Sequence, residues 1–294
     1  MENTDTHAVR ISNAGATLYT SNEVSFEELH KVPLPEKTDT YIPVSYPWLV
    51  NTSKNVLADR GFELKGEKYG LSCKGKRMVA MLEFTHPEIN DPEMGFFWGL
   101  LSSYDKSTAN VSAMGGKVFV CENTCVSGDL RFARRHTLNV KDDFLYMIGD
   151  HADQSLPMFT DMTQERDMLK TIDISHRQGF HLLGEILGEW GERGSKGFLS
   201  PNQVTRAVRA WKSHTGQIRD DNQVIGENDK GEPIHKLIEH PFAERNLWSW
   251  YQACNEALKT TAAHDHLGRH AALHRFAVNK AKEVSQDMLL IEAK

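Results

Sequence analysis

Seven cations in three short segments are the residues best suited by type to do chemistry. They are Lys74, Lys76 and Arg77, then Lys106, then Arg131, Arg134 and Arg135, the last group set around Phe132 in the run RFARRH. Cations along a groove with aromatic faces nearby are what a single strand of nucleic acid requires, because lysine and arginine neutralise phosphates and rings stack on bases. Charges at strand tips also have a plain structural use, since they keep sheet edges from associating. Asp105, Lys106 and Ser107 form a polar loop that is a second place for function. Asp and Ser equally close such turns by bonding to their own backbone.

A run of histidines is the sharpest metal candidate: His264-Asp265-His266, His270 and His274. On a helix His266, His270 and His274 fall at i, i+4 and i+8, and zinc commonly takes two helical histidines at that spacing. The glutamate of a metalloprotease motif is missing, and Leu267, Ala271 and Val278 give this face the character of a packing surface. Cys121-x-x-x-Cys125 has no second cysteine pair to complete a structural zinc site. Gly188, Gly191, Gly194 and Gly197 precede a helix start, yet no phosphate-loop pattern fits them. Asp142-Asp143 and Asp150-His151-Ala152-Asp153 are carboxylate groups at an element boundary, where Asp also caps helices. No catalytic motif and no cofactor motif is found, so no cofactor is expected.

The chain has 294 residues, 39% of them apolar and 25% charged, ordinary values for a globular protein. Its formal net charge of -6 counts against attraction of the whole molecule to phosphate backbones, but leaves room for a local basic groove. No apolar run is long enough to span a membrane, and MENTDTHAVR lacks the features of a secretory signal. Four dispersed cysteines fit a reduced compartment, so a cytoplasmic location is expected.

Several elements must position these residues. Residues 1–40 are expected to form a flexible N-terminal arm, with a short helix over Ser25 to His30. Ser45 and Pro47 mark a helix start, and Gly61 suits its end. Phe62 to Leu71 and Met78 to Thr85 predict a hairpin around Lys74-Gly75-Lys76-Arg77, with Gly75 at positive φ. Phe96 to Leu101 is apolar on both faces, the pattern of a central strand covered by helices. It leads through Tyr104–Thr108 into a second buried strand ending near Cys121. From about residue 150 the apolar period changes from two to 3.6. Ser200-Pro201-Asn202-Gln203 is a helix start with a capping box. Gly216 to Pro233 is expected to be a long polar loop. Leu247 to Leu258 and Ala262 to Ile291 complete the helices. The expected fold is α+β, with an antiparallel or mixed sheet and a helix in the N-terminal half and a helical C-terminal half. The divisions are a core domain over 41–150 and a mainly helical region over 151–294.

Three stretches carry a family resemblance. Tyr41-Ile42-Pro43-Val44, Ser102-Ser103-Tyr104-Asp105-Lys106-Ser107 and Gly116-Lys117-Val118-Phe119-Val120-Cys121-Glu122-Asn123 resemble phage/plasmid-like proteins of domain-of-unknown-function family 932. The resemblance covers about residues 40 to 260 and includes the helix at Leu247-Trp248-Ser249-Trp250-Tyr251-Gln252-Ala253. Thr124 departs from it, standing where Gly is expected. The resemblance implies a mobile element and an intracellular location, and it implies no catalytic residue.

The first expectation is therefore a phage- or plasmid-encoded DNA-transaction protein, an accessory of recombination or replication. It would bind single-stranded DNA through the seven cations, as a homo-oligomer or alone. The rival is a protein-interaction module, such as an inhibitor of host defence with a host protein as partner. The third is a metal-dependent hydrolase using His264, Asp265, His266 and His270.

Overall fold

The computed structural model describes residues 23–118, 124–193, 199–214, 217–259, 261 and 263–292; within these, the side chains of 124–132, 189–193, 217–222, 263–264 and 285–292 are outside the description. The fold is α+β, with an antiparallel sheet in the N-terminal half and most helices in the C-terminal half.

The sheet is a simple meander of β1 (Glu23–Val24), β2 (Glu63–Ser72), β3 (Arg77–Thr85), β4 (Met94–Ser103), β5 (Asn110–Val118) and β6 (Thr124–Arg134), each antiparallel to the next. Alternation sorts each strand onto two faces. Ala80, Leu82, Phe84, Phe96, Trp98 and Leu100 join the main core. This face is packed by α2 (Tyr46–Ala58) and α3 (Val140–Lys170), with α4 (His176–Arg193), α5 (Pro201–Ser213) and α6 (Leu247–Leu258) extending the same core. Val79, Met81, Phe97, Leu101, Val111 and Ala113 point to the opposite face, where Leu267 and Ala271 of α7 (Ala263–Glu292) pack on them. Gly99 lets that helix sit close, because a Cβ there would lie 2.9 Å from Leu267. The strand that reads as apolar on both faces is thus central and covered by helices from both sides. The second face also buries an ion pair, Lys117 to Glu83 at 3.2 Å.

Local signals explain most boundaries. Ser200 and Gln203 form the expected capping box of α5, and Gly61 ends the turn after α2 with φ 82°. Ser45 takes the N-cap position of α2 without a side-chain cap bond, leaving Pro at the start of the helix as the signal.

Three sequence expectations differ from the structure, and one left open is decided by it. Residues 23–31 are not a free arm: β1 pairs with β2, and α1 (Phe26–Lys31), capped by Ser25, buries Leu29 in the core. Residue 150 is not a boundary, because α3 runs through it and a single apolar cluster joins sheet and helices. The apolar positions from Met168 to Trp190 suit one long helix or two, and the structure has two: the end of α3 and then α4, with Ile172 between them. The stretch Gly216 to Pro233 is mostly strand: β7 (Gln217–Glu227) pairs with β8 (Pro233–Glu239) as a separate two-stranded sheet with shifted register.

One packing detail sets local propensity against the core. Gly179 lies inside α4, where Ala would ordinarily gain about 1 kcal/mol. A Cβ at this position would come within 2.6 Å of Trp211 Nε1 and 2.7 Å of its Cε2. The Trp211 ring is fully buried, with the Arg245 guanidinium 4.4 Å from its centre, and Trp250 Nε1 donates to the Gly179 carbonyl at 3.0 Å. Neither ring can retreat, so Gly179→Ala is expected to destabilise the fold by about 1–3 kcal/mol, as overpacking does. A urea midpoint equal to or above the parent's would contradict this.

Candidate nucleic-acid interface

In an antiparallel meander every second turn lies at the same end of the sheet. The β2–β3 turn, the β4–β5 loop and the exit from β6 therefore share one end, which the register shows directly: Arg77 is opposite Ser103, and Asn110 is opposite Arg134. This geometry brings together Lys74, Lys76, Arg77, Lys106, Arg134 and Arg135, which the sequence separates by as much as 61 positions. Arg131 lies in the same strand, opposite Ala113 and farther from that end, and its side chain is outside the described residues.

A network of tyrosines locks the end in place. Tyr104 stacks on Tyr46 with ring centres 4.0 Å apart and planes 8° from parallel. The Tyr46 amide donates to Tyr104 Oη at 3.1 Å, and the Tyr46 hydroxyl donates to the Gly75 carbonyl at 3.2 Å. The Tyr104 amide donates to the Lys76 carbonyl at 2.7 Å, so turn and loop are tied by backbone. Burial pushes both phenols up, Tyr104 to about 12, so both stay neutral.

The Asp105-Lys106-Ser107 loop is held as a turn. Asp105 Oδ1 accepts the Ser107 amide at 3.0 Å, while Oδ2 accepts Arg77 Nε at 2.8 Å. Partial burial favours the protonated carboxyl, but the Ser107, Arg77 and Ser103 bonds outweigh it and hold Asp105 well below the usual carboxylate range. Lys106 occupies the left-handed region, φ 64°, which turns its ammonium over the Tyr41 ring, 4.6 Å from the centre.

The six placed cations are of two kinds. Arg77 is paired with Asp105, and Arg134 with Asp143 at 2.8 Å. Lys74, Lys76, Lys106 and Arg135 are exposed, and among the described residues none of them is in an ion pair with a carboxylate. Phe96 and Trp98 are fully buried, Tyr41 is nearly so, and the Phe132 side chain is outside the described residues. Phosphate neutralisation is the chemistry this surface offers.

Two clefts flank the loop and share Ser107, Thr108 and Ala109. One, of about 440 Å³, is lined by Thr40, Tyr41, Lys106, Arg135, His136 and Thr137. The other, of about 460 Å³, has Arg77, Val111, Ala133 and Asp265. Asp265 is thus placed beside the basic end and not in the histidine stripe. Tyr41 and His136 escaped the sequence reading as site residues. Their only signal was adjacency, His136 ending the run RFARRH and Tyr41 beginning the ordered chain.

The histidines of α7 do share a face, and that face is buried. His270 Nδ1 is 2.9 Å from Asn255 Oδ1, and His274 Nε2 is 2.7 Å from Glu165 Oε2. The His266 and His270 rings lie 4.2 Å apart, and burial pushes His266 down to about 4. Among the described residues no three His, Cys, Asp or Glu side chains converge to hold a metal. The stripe's partners are an amide from α6 and a carboxylate from α3, the geometry of a helix interface. The His264 side chain, Cys121, the Cys125 side chain and Gly194 to Gly197 are outside the described residues. Asp143 and Asp153 are engaged by Arg134 and Arg60, so the acidic groups around α3 serve as ion-pair partners.

Fold and site together define an α+β protein with a basic sheet end built on a tyrosine frame. Comparison with protein-family models, with curated proteins and with solved structures gives no match to this chain. Among the described residues no helix is long and apolar enough to cross a membrane.

Proposed function

We propose that the protein binds single-stranded DNA at the basic end of its sheet, as an accessory of recombination or replication. The observation that carries this reading is the convergence on one end of the sheet of Lys74, Lys76, Lys106 and Arg135, exposed and, among the described residues, without carboxylate partners. Each can neutralise a phosphate, and the Tyr46–Tyr104 stack holds two of the three segments in fixed relation. The phage- or plasmid-borne origin and a cytoplasmic location follow from the family resemblance and belong to the same proposal. The net charge of -6 is compatible, because the acidic groups near this end are internally paired, Asp105 with Arg77, Asp143 with Arg134 and Asp265 with Arg269.

Fluorescence-anisotropy titration with a short single-stranded oligonucleotide, at low and moderate salt, tests it. The expected result is micromolar or tighter binding whose logarithm falls steeply with the logarithm of salt. Absence of binding at low salt would defeat the reading.

One observation favours a protein partner instead. Among the described residues β7 and β8 pair with no third strand, and they expose Val224, Ile225, Ile234 and Leu237, the first two to 58% and 64%. A two-stranded ribbon is marginal alone in water, and exposed apolar side chains on it fit a protein surface. Pull-down from host lysate after nuclease treatment separates the readings. A stoichiometric protein partner lost on changing these four residues to Ser or Thr would favour the interaction module.

A further inference from the structure

The β7–β8 ribbon and the basic end of the sheet are opposite in charge. At the ribbon tip Glu227, Asp229 and Glu232 are exposed beside one cation, Lys230. Among the described residues none of these three carboxylates is in an ion pair; Glu232 accepts only from the Asn228 side chain, at 2.7 Å. The tip has a defined shape. Asn228 Oδ1 accepts the Lys230 and Glu232 amides, both at 2.9 Å, and Gly231 completes the turn at φ 76°. Behind the tip Val224, Ile225, Ile234 and Leu237 are exposed, and no described ribbon side chain belongs to the apolar core.

The sheet end is the complement in both respects. Lys74, Lys76, Lys106 and Arg135 are exposed there and, among the described residues, have no carboxylate partner. Two exposed leucines flank them. Leu34 belongs to the segment that passes this end, where Val32 lies against Gly75 and the Tyr41 ring lies under Lys106. Leu138 follows Arg135 closely, and its carbonyl accepts from Arg134 Nη2 at 3.3 Å. Within one copy the acidic tip and the basic cations form no ion pair with each other among the described residues. Every copy carries both halves, and complementary potentials on two surfaces steer and orient their encounter.

We propose that the ribbon of one copy docks on the basic sheet end of a second copy, its carboxylates facing Lys74, Lys76, Lys106 and Arg135 and its apolar side chains covering Leu34 and Leu138. Such a contact is heterologous: each copy keeps one free ribbon or one free sheet end, so the assembly grows beyond a dimer unless it closes into a ring. The self-association stands without the nucleic-acid reading above. Its competition with a strand for the same four cations rests on that reading.

The test is sedimentation of the full chain over a concentration series, at low and moderate salt. The expected result is a mass that rises above the monomer with concentration at low salt and falls back as salt screens the charges. Glu227→Gln, Asp229→Asn and Glu232→Gln together, all at exposed positions, are expected to weaken association by at least about tenfold. Lys74→Asn, Lys76→Gln, Lys106→Asn and Arg135→Gln together are expected to do the same. Mixing the two variants separates this contact from a symmetric one. Each retains the half that the other lacks, so the mixture is expected to form a one-to-one dimer and to grow no further. A chain that stays monomeric at every concentration overturns the proposal, including one whose ribbon captures a host protein instead. Association that survives either set of changes overturns it as well. Added single-stranded oligonucleotide then tells the two readings apart. Dissociation of the assembly by the oligonucleotide supports both. If the oligonucleotide binds and the assembly persists, or if it does not bind at all, the strand reading of this end falls and the self-association stands.

Discussion

Replacing Lys74 and Lys106 with Asn, and Lys76 and Arg135 with Gln, is expected to weaken single-stranded DNA binding by on the order of 10²–10³-fold at low salt. The magnitude follows from counterion release: each neutralised phosphate of a single strand contributes about 0.7 to the salt slope, so four lost contacts flatten it by about 3. Asn is chosen at Lys74 and Lys106 because both have positive φ, 59° and 64°, which Asn tolerates. The comparison variant exchanges the Arg134–Asp143 pair for Gln and Asn. Those charges neutralise each other at 2.8 Å, so its slope is expected to stay within about one unit of the parent's. Anisotropy across a salt series reads both. If the quadruple variant keeps the parent's slope, DNA binding does not use this end of the sheet.

The second large effect is acid sensitivity from buried neutral histidines. Burial pushes His266 down to about 4. His214 is pushed down to about 3, first by burial and then by His240 and Arg245. His136, His151 and His240 are lowered for the same first reason. The sign is fixed by linkage. In the unfolded chain these groups take up protons below an ordinary value of about 6.5, while the folded state refuses them until pH falls to the depressed values. Stability is therefore intact above about pH 6.5 and is lost as pH falls toward 4. At pH 5 each strongly depressed histidine costs roughly 2 kcal/mol, so His214 and His266 together remove about 4 kcal/mol. That is a large part of the ~5–15 kcal/mol that holds a typical domain. Urea unfolding at pH 7 and pH 5 measures it, and His266→Leu is expected to recover about half of the loss. Equal stability at the two pH values would refute the assignment. The depressed carboxylates Asp91, Asp105 and Asp153 act in a lower window, because their ordinary values already lie near 4.

How much of this was visible in the chain depends on how far each feature is local. The β2–β3 hairpin and its Gly75 turn, the two-faced strand β4 and the capping box of α5 are all written within a few residues, and the structure has them. The start of α3 was hidden because Leu145 and Tyr146 are exposed in its early turns while Phe144 and Ile148 are buried, which blurs the helical period. The β7–β8 ribbon was hidden for a different reason. None of its described side chains belongs to the apolar core, and two register shifts break what alternation exists. For the site, the kinds of residue were legible and their meeting was not. Lys74, Lys106 and Arg135 share one end because an even number of strand crossings separates them, and that parity depends on the sheet being an uninterrupted meander. His136 and Tyr41 acquire their meaning only from the cleft that forms around them.

The order of packing along the chain has a consequence for synthesis. The sheet is complete by Arg134, yet the helix that covers its second face begins only at Ala263. At ribosomal speeds of about 5–20 residues per second, Phe97, Leu101, Val79 and Met81 stay open to water for several seconds after their strands have left the ribosome. Any sheet formed before that point would have its second face uncovered until Ala263–Glu292 is made. A ribosome that stalls before Ala263 would release a species prone to aggregate, and the cell's holdase chaperones would meet this protein at that stage.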